Sequence, residues 1–185
     1  MGGSLYYFAP KKDVDGMVPK GKSDLERLNA IFLGHPLLPG WQPLSFKLPR
    51  HKPEKKYVDI SYLYRGALAV ANHARDTLDE IVGRDAEWLQ VDFYGESYWI
   101  LNPFLEYDLI DWERSKRLPH VSERNFYCVY HFEALHILSQ TLYKPCFKLK
   151  KLSEHIYSQQ FVDAVDQARL TMGVEFKQVS FSKSI

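Results

Sequence analysis

The chain is short of most features that announce a function. Its 185 residues include two cysteines, Cys128 and Cys146. Two cysteines make no disulfide framework, and both are expected to be reduced. No basic segment followed by an apolar run opens the chain, so no signal peptide is expected. No stretch approaches the roughly 18 apolar residues of a membrane-spanning helix. These absences point to the cytoplasm and away from a membrane. Net charge is missing too: 24 Lys and Arg stand against 23 Asp and Glu, a formal +1. Global charge therefore does not mark a nucleic-acid binder. There is no GxSxG, Walker loop, GxGxxG or CxxC pair. No cofactor is implied, and a non-enzyme is the expectation.

What the chain does have is apolar mass and uneven charge. Hydrophobic residues make up 45% and aromatics 15%, enough for a single domain over 1–185 with a real core. Met1–Lys56 carries ten Lys or Arg and five Asp or Glu, a net of +5. Asp76–Glu113 carries eleven acids and one base, Arg84, a net of −10. Near-neutrality hides a strong asymmetry.

Leu5–Ala9, Leu44–Leu48, Asn125–His131, Cys146–Leu149 and Val174–Val179 read as strands, and Ala134–Leu138 as a strand or helical turn. Lys11–Lys22 reads as a loop. Ser23 with Glu26 forms a capping box for a first helix that fades near Gly34. Leu63, Ala67, Val70, Ala71, Ala74, Leu78, Ile81 and Val82 form a stripe at helical spacing, which predicts one long helix from Asp59 or Ser61 to Gly83. Leu89, Val91 and Phe93 alternate with polar neighbours, and Tyr98–Leu101 returns, so a hairpin is expected with a type II′ turn at Gly95-Glu96. Asn102-Pro103 should stop it, and Leu105–Trp112 should continue extended. Ser158 caps a last helix to Met172, with Gly173 in the C′ position. No internal repeat stands out. Strands outnumber helices and do not alternate with them, which gives an α+β fold. Its sheet should be mainly antiparallel with a central hairpin, packed by a long middle helix and a C-terminal helix.

Candidate chemistry is sparse. His131, Glu133 and His136 have metal-binding types, but histidines five apart on a helix diverge by about 140°; no metal site is expected. Asp108, Asp111 and Glu113 could serve a small metal-dependent hydrolase, although carboxylates crowd any segment of net −10. Cys128, mid-strand, reads as an inert buried thiol rather than a partner of His131 or His136. Lys47–Lys56 could be a nucleic-acid-binding arm, or simply a solvated loop. Carboxylates mixed with Trp88, Trp99 and Trp112 suit a protein partner better, by combining steering with large anchors.

The order YWILNPFLEYDLIDWERS (Tyr98–Ser115), PCFKL (Pro145–Leu149), IYSQQFVDAV (Ile156–Val165) and GVEFKQV (Gly173–Val179) resembles the immunity-eleven family of bacterial polymorphic-toxin immunity proteins. The resemblance covers Gln90–Val179, and Met1–Lys56 diverges from it. Ser-Gln-Gln at Ser158–Gln160 departs from the family's more usual Ser-Glu-Arg. The resemblance implies a non-catalytic protein that binds and neutralises a cognate secreted toxin. With the acidic ledge, it suggests a cytosol-acting nuclease whose basic cleft is occluded. The expected toxin-binding residues are Asp92, Glu96, Glu106, Asp108, Asp111, Trp112 and Glu113.

Overall fold

The structure, a computed structural model, describes residues 4–11, 16–28, 31, 36–48, 58–63, 67–117, 132–138, 144–150 and 155–181. The expected Asn125–His131 strand and Cys128 lie outside them, as does most of Lys47–Lys56. The fold is α+β and strand-rich, with few helices. One sheet has six strands: β2 (Val18–Pro19), β3 (Leu44–Lys47), β6 (Ala86–Phe93), β7 (Glu96–Pro103), β5 (Leu68–Ala71) and β4 (Ile60–Tyr62), in that spatial order. The other has five: β14 (Val174–Gln178), β1 (Leu5–Pro10), β13 (His155–Ser158), β12 (Cys146–Leu149) and β8 (Glu106–Tyr107). Two short pairs complete the set among the described residues: β9 (Lys116–Arg117) with β10 (Phe132–Ala134), and β11 (His136–Ile137) with β15 (Ser180–Phe181). Most pairings are antiparallel; β3–β6, β8–β12 and β11–β15 are parallel.

The β6–β7 hairpin is the central one, as its alternation predicts. Leu89, Val91 and Phe93 face one apolar cluster with Ile100 and Tyr98, while Trp88 and Leu101 face another. The turn sits one residue earlier than expected. Tyr94 and Gly95 are its central pair, both with positive φ (57° and 88°), which is the type I′ pattern rather than II′. The strand also runs through Asn102 to Pro103, because its end pairs with Ala86 at the start of β6.

The long middle helix is a correction. Only α2 (Asn72–Val82) is helical. Ile60–Tyr62 and Leu68–Ala71 are strands that pair with each other, and β5 pairs with β7. The stripe continued upstream because residues buried on both faces of a strand are apolar at every spacing, helical spacing included. Helix α1 (Lys22–Leu28) contains Ser23 rather than being capped by it. Ser158 does cap α3 (Gln159–Gln167), accepting from the Phe161 amide at 3.3 Å. The helix stops well before Gly173, and the left-handed residue is Arg169 (φ 54°). Within Leu105–Trp112 only β8 and a bridge at Ile110 are extended, and 112–114 turn.

The six-stranded sheet curls until its edges touch. Met17, beside β2, bridges to Leu63, beyond β4, and its amide donates to the Tyr62 carbonyl at 2.7 Å. Gly16 permits this seam. A Cβ there would lie 2.5 Å from Tyr62 Cδ1 and 2.8 Å from the Tyr62 carbonyl oxygen. Gly16→Ala is therefore expected to lower unfolding free energy by about 1–3 kcal/mol, measured by urea denaturation; an unchanged midpoint would show that the seam can shift freely.

An internal repeat is also present, in topology before sequence. In one half β4, β5, α2 and β6 follow in order, with β7 inserted antiparallel between β5 and β6. In the other, β12, β13, α3 and β14 follow in order, with β1 inserted antiparallel between β13 and β14. Aligning Ala71 with Ser158 makes Asn72 match Gln159, Ala74 match Phe161, and Asp76 and Asp79 match Asp163 and Asp166. Strand register then matches Trp99 with Tyr6 and Pro103 with Pro10. It also sets AEWLQV (Ala86–Val91) against VEFKQV (Val174–Val179). The contacts repeat as well. Trp99 Nε1 donates to Asn72 Oδ1, and the Tyr6 hydroxyl donates to Gln159 Oε1. The second copy is circularly permuted, since its inserted strand comes from the chain's beginning. That is why reading the chain in order does not reveal the repeat.

Candidate interaction surface

The structure separates the acids that the sequence groups together. Six of the eleven between Asp76 and Glu113 are engaged internally. Asp76 pairs with Arg75, Asp79 accepts from Trp88 Nε1 at 2.8 Å, and Asp85 holds Lys144 at 2.9 Å. That ion pair raises the Lys144 pKa, through its hydrogen bond first. Glu87 is buried. Asp92 accepts from the Gly95 amide within the hairpin turn, and Asp111 accepts from the Glu113 and Arg114 amides at 3.2 and 3.1 Å. Glu80, Glu96, Glu106, Asp108 and Glu113 remain exposed.

Of the expected toxin-binding residues, Asp92 and Glu96 stand at the tip of the β6–β7 hairpin. Glu106, Asp108, Asp111, Trp112 and Glu113 follow its other end. The eight-residue β7 puts about 24 Å between those ends. The ledge is thus two places, and the second is the richer. There Ile110 bridges to Ile137, the Asp111 amide donates to the His136 carbonyl at 3.0 Å, and the Leu138 amide donates to Leu109 at 2.8 Å. This knits 109–115 to 135–138. Trp112 (37% exposed) and Leu138 (56%) are left at the surface, and Asp108, Glu113, Arg114 and Lys116 are exposed on the same segments or beside them in sequence. Trp88 is buried in the core. Trp99 is covered by the Arg75 guanidinium, 4.4 Å above its ring. Of the three tryptophans, Trp112 is the most exposed. Leu138 is an exposed apolar residue that the sequence reading missed, since an apolar residue in a strand segment reads as core.

Among the described residues no three His, Cys, Asp or Glu side chains converge as a metal site, and Asp111, committed to its turn, is poorly placed to ligate. A shallow groove of about 310 Å³ lies between β2 and α1, lined by Val18, Pro19 and Leu25 with Lys20 and Lys22, remote in sequence from the acidic residues.

A buried polar chain is the other feature that the sequence concealed. Lys148, 2% exposed, donates to Asn102 Oδ1 at 2.7 Å and to the Ile31 carbonyl at 2.5 Å. Asn102 Nδ2 donates to Glu87 Oε1 at 2.7 Å. The Glu87 carboxylate accepts the Leu37 and Leu38 amides at 2.6 and 3.0 Å. Burial pushes the Lys148 pKa down to about 8 against the pull of Glu106, Glu87 and Cys146. Beside it, burial and the Lys148 charge hold His155 well below its usual value, and His155 Nε2 has no partner among the described residues. Burial lifts the Cys146 thiol to about 12, so it is unreactive. A lysine between Phe147 and Leu149 looks like an alternating solvent position, which is why it escaped notice.

No family model and no curated protein matches this chain. Among the described residues no helix is long and apolar enough to cross a membrane.

Proposed function

We propose that this protein is an immunity protein that binds and neutralises a cognate bacterial toxin in the cytoplasm, the toxin being a nuclease with a basic cleft. The observation that carries the reading is that Trp112 and Leu138 are both exposed on two segments, 109–115 and 135–138, that are hydrogen-bonded to each other, with Asp108 and Glu113 exposed on the first of them or beside it. Large apolar side chains inside a charged border supply the anchor-and-rim arrangement of tight protein interfaces, and the carboxylates would steer a basic partner. The resemblance of Gln90–Val179 to immunity-eleven proteins supports the same class, and the expected interface contracts to Glu106–Glu113 with Leu138.

The test uses the C-terminal domain of whatever secreted toxin is encoded beside this gene. Asp108→Lys with Glu113→Lys is expected to slow association tenfold or more at low salt, and less at high salt. Trp112→Ala should weaken binding about thirtyfold, equivalent to ~2 kcal/mol. Unchanged binding by both variants would place the interface elsewhere; no binding by the wild-type protein would remove the immunity reading.

A further inference from the structure

The internal repeat shows where the two halves have diverged, and the divergence falls on the buried polar chain. Register matches Lys148 with Tyr62 and His155 with Leu68. It also matches buried Glu87 with exposed Glu175, and Asn102 with Ala9. One copy of each position is apolar or solvated, so the buried chain of Glu87, Asn102 and Lys148 occurs at one place in the described structure and has no buried polar counterpart at the matched positions.

What they hold is the Leu37–Gln42 segment. Both Glu87 oxygens go to its first two amides. Beyond them, the Trp41 amide closes a turn to the Leu38 carbonyl at 3.2 Å, with Pro39 and Gly40 (φ 105°) between. Trp41 Nε1 donates to the Gln90 carbonyl at 2.8 Å, and Arg27 donates to Gln42 while lying over the Trp41 ring. Leu37 and Trp41 lie against the apolar cluster of Leu44, Leu89 and Val91, while Leu38 is 56% exposed. The segment contributes no strand, and only Leu37 and Trp41 touch the core.

We propose that Glu87, Asn102 and Lys148 form a clasp, and that Leu37–Gln42 is a strap which this clasp holds closed and which opens on its own while both sheets stay folded. Lys148 keeps the Glu87 charge in place through Asn102, and Glu87 holds the strap. Releasing the carboxylate frees the strap and the exposed Leu38 it presents.

Native-state amide exchange across a urea series tests this. In the wild-type protein the Leu37 and Leu38 amides should exchange at least tenfold faster than those of Val91 and Ile100, with a weaker urea dependence. In Glu87→Gln, where the neutral amide gives up one strong acceptor, Leu37 and Leu38 should fall to within tenfold of unfolded-peptide rates. Val91 and Ile100 should stay more than a hundredfold protected, and the Trp41 indole N–H resonance should shift. If all four amides in the wild-type protein share one rate and one urea dependence, the strap opens only with global unfolding and the proposal fails. It fails equally if Leu37 and Leu38 keep wild-type protection in Glu87→Gln.

Discussion

Lys148→Met is expected to lower unfolding free energy by about 3–5 kcal/mol, the usual loss when one partner of a buried charge pair is removed. Methionine fills most of the volume but donates nothing. The Ile31 carbonyl and Asn102 Oδ1 lose this donor, and Glu87, 8% exposed, loses the ammonium that Asn102 links to it. Adding Glu87→Gln to Lys148→Met should cost less than the two single losses together, because the uncompensated charge disappears. Urea denaturation of the four proteins measures this; additive losses would show that the chain does not act as a unit.

The same lysine predicts a pH dependence whose sign follows from its depressed pKa. Between the folded value of about 8 and the ordinary 10.5, the unfolded chain binds a proton that the folded chain has shed. Stability contributed by this group therefore rises with pH across that window, and below about 8 it adds no slope. The stability gap between wild-type and Lys148→Met proteins should widen from pH 8 towards 10.5. Both proteins keep Tyr157, whose pKa burial raises, and that contribution cancels in the difference; the Cys146 thiol, whose pKa the Lys148 charge also affects, is removed by making the comparison in a Cys146→Ala background. A gap that narrows over this range would contradict the depressed pKa of the buried Lys148.

Phe161→Ala is the second large effect, expected at about 3–5 kcal/mol. Phe161 is fully buried on α3, with its ring 4.7 Å from Tyr157 and 6.2 Å from Phe176. It belongs to the cluster in which α2, α3 and the five- and six-stranded sheets meet. Its counterpart in the other copy is Ala74, also fully buried in that cluster. One copy thus supplies bulk and the other a small residue at matched positions. Ala74→Phe should accordingly destabilise as well, by overpacking, at about 1–3 kcal/mol. Thermal denaturation of both variants tests the pairing. Tolerance of Phe at 74 would mean that the central layer is not packed to capacity there.

Several elements were legible because local physics fixes them. The alternation at Leu89–Phe93, the Ser158 cap and the short strand at Cys146–Leu149 are each written in neighbouring residues. The strand-rich α+β class followed from the same patterns. The helix expected over Asp59–Gly83 failed for a physical reason: Ile60–Tyr62 and Leu68–Ala71 are strands because β7 offers a pairing surface, and periodicity cannot see that surface. The acidic segment was legible only in part. Its count of carboxylates was right, but their partners are the Lys144 ammonium, the Trp88 indole and the backbone amides of turns. These lie in other elements or in turns that the sequence placed wrongly.

By itself the sequence determined the hairpin, the helix cap, the apolar mass and the presence of acids with tryptophans near Glu106–Glu113. Each depends on residues within a few positions of one another. Tertiary structure decided which acids face water, that Trp112 is more exposed than Trp88 or Trp99, and that Lys148 is buried. It also decided that β1 completes a second copy of the unit built around β7. All of these depend on residues tens of positions apart meeting in space, where burial, register and hydrogen-bond partners are set by the fold as a whole.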